Sequence, residues 1–313
     1  MYGVTGALNM AQVSGRVAES GMDAPLVLAF SLFICGFAFK AALVPFHAWL
    51  PDAHPAAPAP VSAMLSGVLI KAIGIYVLAR LIFNVFGAEA NILSLLCWLG
   101  VVSMVVGGLM AVGQEDIKRM FAYSSISQVG FIILGLGLAT PLGLAGALYH
   151  LVNHSMFKSL LFLNAGAVEY CTGTRKLDEL GGLNRAMPVT GATSLIGSMS
   201  IAGIPPFNGF WSKLIIILAC VQAGRYGFAV IAVLVSIVTL GYQLKVQRGA
   251  FFSDLPVALA QVKREPPLMK LSMILLAAGC VALSFAVITG FNDPWLVGEA
   301  RDVLSGGTFG GRP

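Results

Sequence analysis

Five stretches of this chain, 26–39, 61–78, 92–112, 126–138 and 269–288, run almost without charge. A bilayer core takes about 20 such residues as a helix. The strands of a membrane barrel alternate apolar and polar residues, and these stretches do not alternate. Only 11% of the 313 residues are charged, against roughly 25% in soluble domains. A soluble chain of this size still needs a wetted surface, so the deficit points to lipid rather than to a larger core. The expected fold class is all-α: a polytopic membrane protein of about eight transmembrane helices, two of them broken.

The expected helices cover 24–50 with an interruption at Pro45, then 60–85, 90–113, 117–138 and 142–170. They continue over 188–222 with a break near Gly203 and Pro206, then 226–246 and 268–290. Residues 1–23 are mixed and contain no continuous apolar signal segment. Both ends read as polar and mobile, the C-terminus most of all. Loops carrying Lys118, Arg119, Arg175, Lys176, Lys245 and their neighbours hold ten basic residues, and the opposite side holds five. Excess positive charge marks the cytoplasmic side, which leaves both termini facing outward.

The net charge of +5 comes with no basic tract interleaved with aromatics, so nucleic acid is not an expected partner. The five cysteines form no CxxC and read as small buried hydrophobes rather than iron–sulfur ligands. No cofactor or metal is expected.

All fourteen Asp and Glu residues fall in loops, termini or helix ends, whereas four lysines, Lys40, Lys71, Lys158 and Lys213, fall inside apolar stretches. A charge near the bilayer centre costs at least about 2.5–3.5 kcal/mol, which leucine would avoid. Snorkelling from a helix end is the alternative. Low dielectric disfavours an ammonium, so a lysine there becomes able to exchange protons near neutral pH. His150, His154 and Lys158 recur at intervals of four, which places them on one helix face over about 12 Å. Histidine shuttles protons near neutrality. A zinc site or inert packing are rival readings of the histidine pair, and no Cys or carboxylate lies near it in sequence. Ser124, Ser125, Ser127 and Gln128 add polarity to the fourth helix; they line a wet path or bond backbone carbonyls.

The two breaks stand beside intramembrane lysines. Pro45 follows Lys40 by five positions, and Gly203, Pro205 and Pro206 precede Lys213 by seven to ten. They are ordinary kinks or the broken helices that mark ion sites in transporters. Similar strings flank them, Pro45-Phe-His-Ala-Trp49 and Pro206-Phe-Asn-Gly-Phe-Trp211, which hints at an internal repeat.

Longer strings carry a resemblance. They are Phe39-Lys-Ala-Ala-Leu-Val-Pro-Phe-His-Ala-Trp-Leu-Pro-Asp-Ala-His54, Gly67-Val-Leu-Ile-Lys71 and Gln114-Glu-Asp-Ile-Lys-Arg119. Ala122-Tyr-Ser-Ser-Ile-Ser-Gln-Val-Gly130, His150-Leu-Val-Asn-His-Ser-Met-Phe-Lys158 and Gly203-Ile-Pro-Pro-Phe-Asn-Gly-Phe-Trp-Ser-Lys213 follow in order. Together they resemble the antiporter-like proton-translocating membrane subunits of complex I, Mrp Na+/H+ antiporters and membrane-bound hydrogenases.

The resemblance implies two inverted repeats, each with a broken helix, and a buried row Lys40, Lys71, His150, His154, Lys158 and Lys213 as proton relay. Lysine at 213 looks more like the hydrogenase, Mrp and distal complex I members. The first six or so helices of the family fold, with the glutamate that pairs with the first lysine, have no counterpart here. The expected division is 1–23 as an extramembrane segment, 24–85 as the remainder of the first repeat and 90–246 as the second repeat. Residues 247–313 then hold a cytoplasmic loop, the last helix and a polar tail.

The implied function is proton (or Na+/H+) translocation in the cell membrane, as a non-redox subunit of a complex I-like or hydrogenase-type assembly. Its partners would be other membrane subunits, the transported ions and the lipid bilayer. An Mrp-type antiporter subunit and a truncated structural module are the alternatives.

Overall fold

The computed structural model describes residues 1–259, 262–289 and 298–307; the side chains of Ser20, Lys71, Ala72, Ala258 and 286–289 lie outside that description. The principal helices are α1 Ala24–Lys40, α2 Ala59–Phe86, α3 Ala90–Val112, α4 Ile117–Gly137, α5 Pro141–Thr172, α6 Pro188–Ala202, α7 Asn208–Gln222, α8 Tyr226–Phe252 and α9 Pro267–Thr289. The expected end of the last helix at Gly290 lies outside the described residues. Among the described residues there is no β-strand, only an isolated bridge between Asp116 and Lys176.

Local sequence sets the helix ends. Asp23, Asp116 and Thr140 each accept from a backbone N–H in the first turn of α1, α4 and α5, meeting donors that the helix cannot satisfy itself. Pro141 and Pro188 occupy first-turn positions where a missing N–H costs nothing. Gly173 and Gly203 close α5 and α6 in the left-handed region, which glycine enters without a Cβ clash.

By length and hydropathy, α2, α3, α4, α8 and α9 can cross a bilayer. The apolar helices α1 and α7 are shorter, 17 and 15 residues. Helix α5 has length to spare, 32 residues or about 48 Å, but His150, Asn153, His154, Lys158 and Asn164 dilute its hydropathy. This most polar helix is the central one, packed by α2, α4, α6, α7 and α9. Its neighbour α4 is buried along its whole apolar window. Leu28, Leu32, Trp98, Leu109, Val230, Ile237 and Leu275 stand exposed on the outer helices, a face that suits lipid and would be a liability in water.

Backbone proximity holds α3 to α4. A Cβ at Gly107 would stand 2.6 Å from Ser127 N, and one at Gly130 would stand 2.5 Å from Gly100 O. Small residues let membrane helices approach until their backbones touch.

Three expectations are corrected. The first helix stops at Lys40, and Ala42 takes a positive φ before Pro45, so Lys40 is a terminal residue rather than an interior one. The favourable end of a helix dipole for a cation is its C-terminus. The chain ends are partly ordered: Met10–Ser20 and Gly298–Ser305 are helical, and Asn84 Nδ2 donates to Val303 O at 2.8 Å and Gly307 O at 2.7 Å. The expected tail beyond 307 lies outside the described residues. Cys35 is exposed, while Cys97, Cys171, Cys220 and Cys280 are buried.

Candidate functional site

Spacing of four on α5 does bring His150, His154 and Lys158 to one buried face, each 0% exposed. The His150 and His154 rings lie 6.4 Å apart, with Phe157 against both. Lys158 Nζ donates to the Phe121 carbonyl at 2.7 Å and sits 5.5 and 5.8 Å from the Phe121 and Phe162 ring centres. A buried ammonium needs such partners, since it has left water behind. Phe162 also stacks on His54, centroids 4.4 Å apart, so the short helix Leu50–Ala56 after the first break reaches the Lys158 pocket through one ring.

The second break supplies the other end of the row. His150 Nδ1 and Ser212 Oγ are hydrogen-bonded at 2.8 Å, and Ser212 immediately precedes Lys213 on α7. Asn208 Nδ2 donates to Asn153 Oδ1 at 3.1 Å, and Asn153 Nδ2 donates to Asn208 O at 3.1 Å. These bonds fix the start of α7 against the middle of α5. Lys213 is 3% exposed; its Nζ donates to Ile201 O at 2.8 Å and Ala202 O at 3.4 Å. Those carbonyls end α6, where the break leaves them without intrahelical partners. The Phe131 ring stands 4.8 Å from Lys213 Nζ and 5.8 Å from the His150 ring.

Lys71 lies on wide turns of π type over Leu65–Tyr76, and its side chain is outside the described residues. Its helix joins the row through Ser66, whose Oγ is 2.8 Å from Ser125 Oγ. Ser125 donates to the same Phe121 carbonyl that holds Lys158. Lys40 is not brought to this row. It is exposed beside a cavity of about 340 Å³ lined by Phe39, Trp49, Leu65, Leu69, Ile70 and Ile73.

Several participants carry no sequence signal of their own. His54, Asn153, Asn208 and Ser212 are wholly buried, and only their long-range partners give them a place. Lys118, counted by sequence among the loop charges, is 2% exposed. Its Nζ pairs with Glu169 at 2.6 Å and donates to Ala57 O at 3.3 Å. Arg175 joins the same cluster through Asp116 at 2.5 Å, Glu169 at 2.9 Å and Pro55 O at 3.1 Å. Glu265, in the loop before α9, is also buried; Thr190 donates to it at 2.7 Å and Lys270 lies 3.4 Å away. Among the described residues, no three His, Cys, Asp or Glu side chains converge to hold a metal ion.

The helical membrane core holds buried basic side chains, and its two helix interruptions stand beside Lys40 and Lys213. The family model for the transmembrane NADH:quinone oxidoreductase/Mrp antiporter region matches residues 1–239, and the chain belongs to that family. It is 37% identical over 271 residues to NADH-quinone oxidoreductase subunit N of Desulforudis audaxviator, covering 85% of this chain and 54% of that protein. It is 36% identical over 287 residues to an Na(+)/H(+) antiporter subunit of Alkalihalophilus pseudofirmus, covering 91% and 58%. The structure of the Mrp complex from Dietzia sp. superposes with a TM-score of 0.87 at 30% identity, over 97% of this chain and 63% of that one. The chain thus spans little more than half the length of the curated relatives it matches.

Proposed function

We propose that this chain relays protons across the cell membrane as part of an antiporter-like subunit within a redox-driven assembly. The observation that carries the proposal is the set of buried side chains Lys158, His154, His150, Ser212 and Lys213, in which His150 is hydrogen-bonded to Ser212. Lys71 would feed it through the helix that Ser66 ties to the Lys158 pocket. Lys40 would act at the exposed end, beside the first break. The two histidines pass protons between lysines, and each lysine's charge biases the next through the low dielectric between them. Electron transfer would belong to other subunits of the assembly. The side of the protein bearing Arg119, Arg175 and Lys245 would face the cytoplasm, with both termini outward. The segments 24–85 and 90–246 would be parts of two inverted repeats, each with its own break.

The test is Lys158→Ala in the assembled complex, with donor-driven acidification of inverted vesicles as readout. Loss of a positioned proton-transfer group is expected to lower translocation by about 100-fold or more, with normal insertion. Translocation at the wild-type rate would end the proposal.

The relatedness to Mrp subunits favours a second reading, cation/proton exchange driven by the ion gradient alone. Vesicles given a Na+ gradient and no electron donor separate the two. Proton movement under that condition supports the antiporter; dependence on the donor supports the redox-driven assembly.

A further inference from the structure

A serine inside a membrane helix is commonly satisfied by its own helix, donating to the carbonyl four residues back. Ser31, Ser236 and Ser272 do this, to Val27 O, Ala232 O and Leu268 O. Ser284 of α9 is bonded across the bundle instead. Its Oγ donates to Pro206 O, in the loop of the second break, and accepts from Trp211 Nε1 of α7 at 3.0 Å. A hydroxyl has one proton to give and lone pairs to receive, so one side chain ties the loop to the first turn of α7.

The helix that carries it is peripheral. Leu271, Leu275 and Phe285 stand exposed on α9, whereas Ser284 is 3% exposed. One residue earlier, Leu283 O accepts from Tyr149 OH at 2.7 Å. A single turn of α9 therefore holds two residues that flank the buried basic set: Tyr149 precedes His150, and Trp211 precedes Ser212 and Lys213. This helix lies beyond the residues 1–239 that the family model matches.

The two breaks use their tryptophans differently. At the first, Trp49 Nε1 donates to Phe39 O at 3.0 Å, ten positions back, so the indole closes the end of α1 and Lys40 stays exposed. Ten positions before Trp211 is Ile201, and its carbonyl is held by Lys213. Trp211 is bonded to α9, so the start of α7 is anchored from outside the break. The lysine's seat is tight: a Cβ at Gly203 would stand 3.0 Å from Lys213 Cδ. Beside the amine, α4 presents Phe131, α8 presents Val233, Ser236, Ile237 and Leu240, and α5 presents His150 through Ser212. None of these is a carboxylate, so the ammonium relies on the two carbonyls of α6, Ile201 O and Ala202 O. A small shift at the start of α7 would draw it off both.

We propose that Ser284 is a positioning residue for Lys213: by joining Pro206 to Trp211 it fixes how α7 leaves the break and keeps the amine on the α6 carbonyls. The inference rests on the proton-relay reading of Lys213. Ser284 exchanges no proton itself and acts only through the geometry of the break. Were it mere glue between α9 and the bundle, its loss would lower the amount of assembled complex and leave the rate per complex unchanged.

The test measures donor-driven acidification per assembled complex in inverted vesicles. Ser284→Ala is expected to lower it about tenfold and to alter its pH profile, and Ser284→Thr to restore both. Trp211→Phe removes the indole N–H but keeps the bond to Pro206, and is expected to slow translocation several-fold. Residues that act through a shared bond are not additive, so the double variant is expected to be no slower than Ser284→Ala. A wild-type rate and profile in Ser284→Ala would overturn the proposal, as would multiplied losses in the double variant. If Ser284→Ala does not assemble, Trp211→Phe decides, and a wild-type rate there overturns the proposal. Lys213→Met separates the two levels: if it still translocates, the relay reading of Lys213 fails; if it is dead while Ser284→Ala is normal, only the role of Ser284 fails.

Discussion

Lys213 Nζ stands 2.8 Å from the carbonyl oxygen of Ile201, so a lysine of one half-helix closes the open end of the other. Gly203 ends α6 in the left-handed region, Phe207 precedes α7, and the cation fills the gap between the halves. The break and the lysine are therefore one construction: the chain interrupts a helix and supplies the donor that the interruption requires. Lys213→Met keeps the stem and removes the donor. Lost hydrogen bonds and relieved amine burial oppose each other, so stability is expected to change by no more than about 1 kcal/mol. Translocation is expected to fall about 100-fold, since no group is left to exchange the proton. Thermal unfolding in detergent and vesicle acidification measure the two effects separately.

Ser212 positions His150 rather than carrying the row by itself. Ser212→Ala removes the hydroxyl bonded to His150 Nδ1 and leaves the Asn153–Asn208 pair to hold α7 in place. The expected result is about a tenfold slower translocation with an altered pH profile, because the histidine loses the partner that selects its tautomer. Ser212→Thr keeps the hydroxyl and is expected to restore both rate and profile. An unchanged profile in Ser212→Ala would reduce the serine to packing.

Adjacent glycines on α3 are expected to behave differently. A Cβ at Gly107 meets Ser127 N at 2.6 Å and Tyr123 O at 2.8 Å, whereas one at Gly108 meets nothing closer than 3.5 Å. Gly107→Ala must push backbone from backbone, at a cost of about 1–3 kcal/mol. Gly108→Ala is expected to stay within about 0.5 kcal/mol of wild type. Thermal unfolding of the two variants side by side checks the contrast.

Much of the helical framework was legible because its signals are local. Apolar runs placed the helices, and Gly203 with Pro205 and Pro206 marked the second break. The His150–His154–Lys158 stripe was legible because a helix turns the same way whatever surrounds it. Lys40 was misjudged because Pro45 marked the interruption too late; the chain leaves the helix at Ala42. Lys118 was misjudged because a lysine at a helix start reads as solvated until Glu169, 51 positions later, folds back onto it.

By itself, the sequence determined that the chain lies in lipid, where its helices run, and which face of α5 is basic. Each follows from short-range chemistry: transfer of apolar side chains, capping and helical period. Only the tertiary structure decided that Ser212 meets His150, that Phe121 offers its carbonyl to Lys158, and that Ser284 of α9 joins Trp211 to Pro206. In a membrane the lipid is as apolar as the protein core, so hydropathy cannot say which face of a helix turns inward. Packing of small residues and hydrogen bonds between distant helices decides that, and neither is visible along the chain.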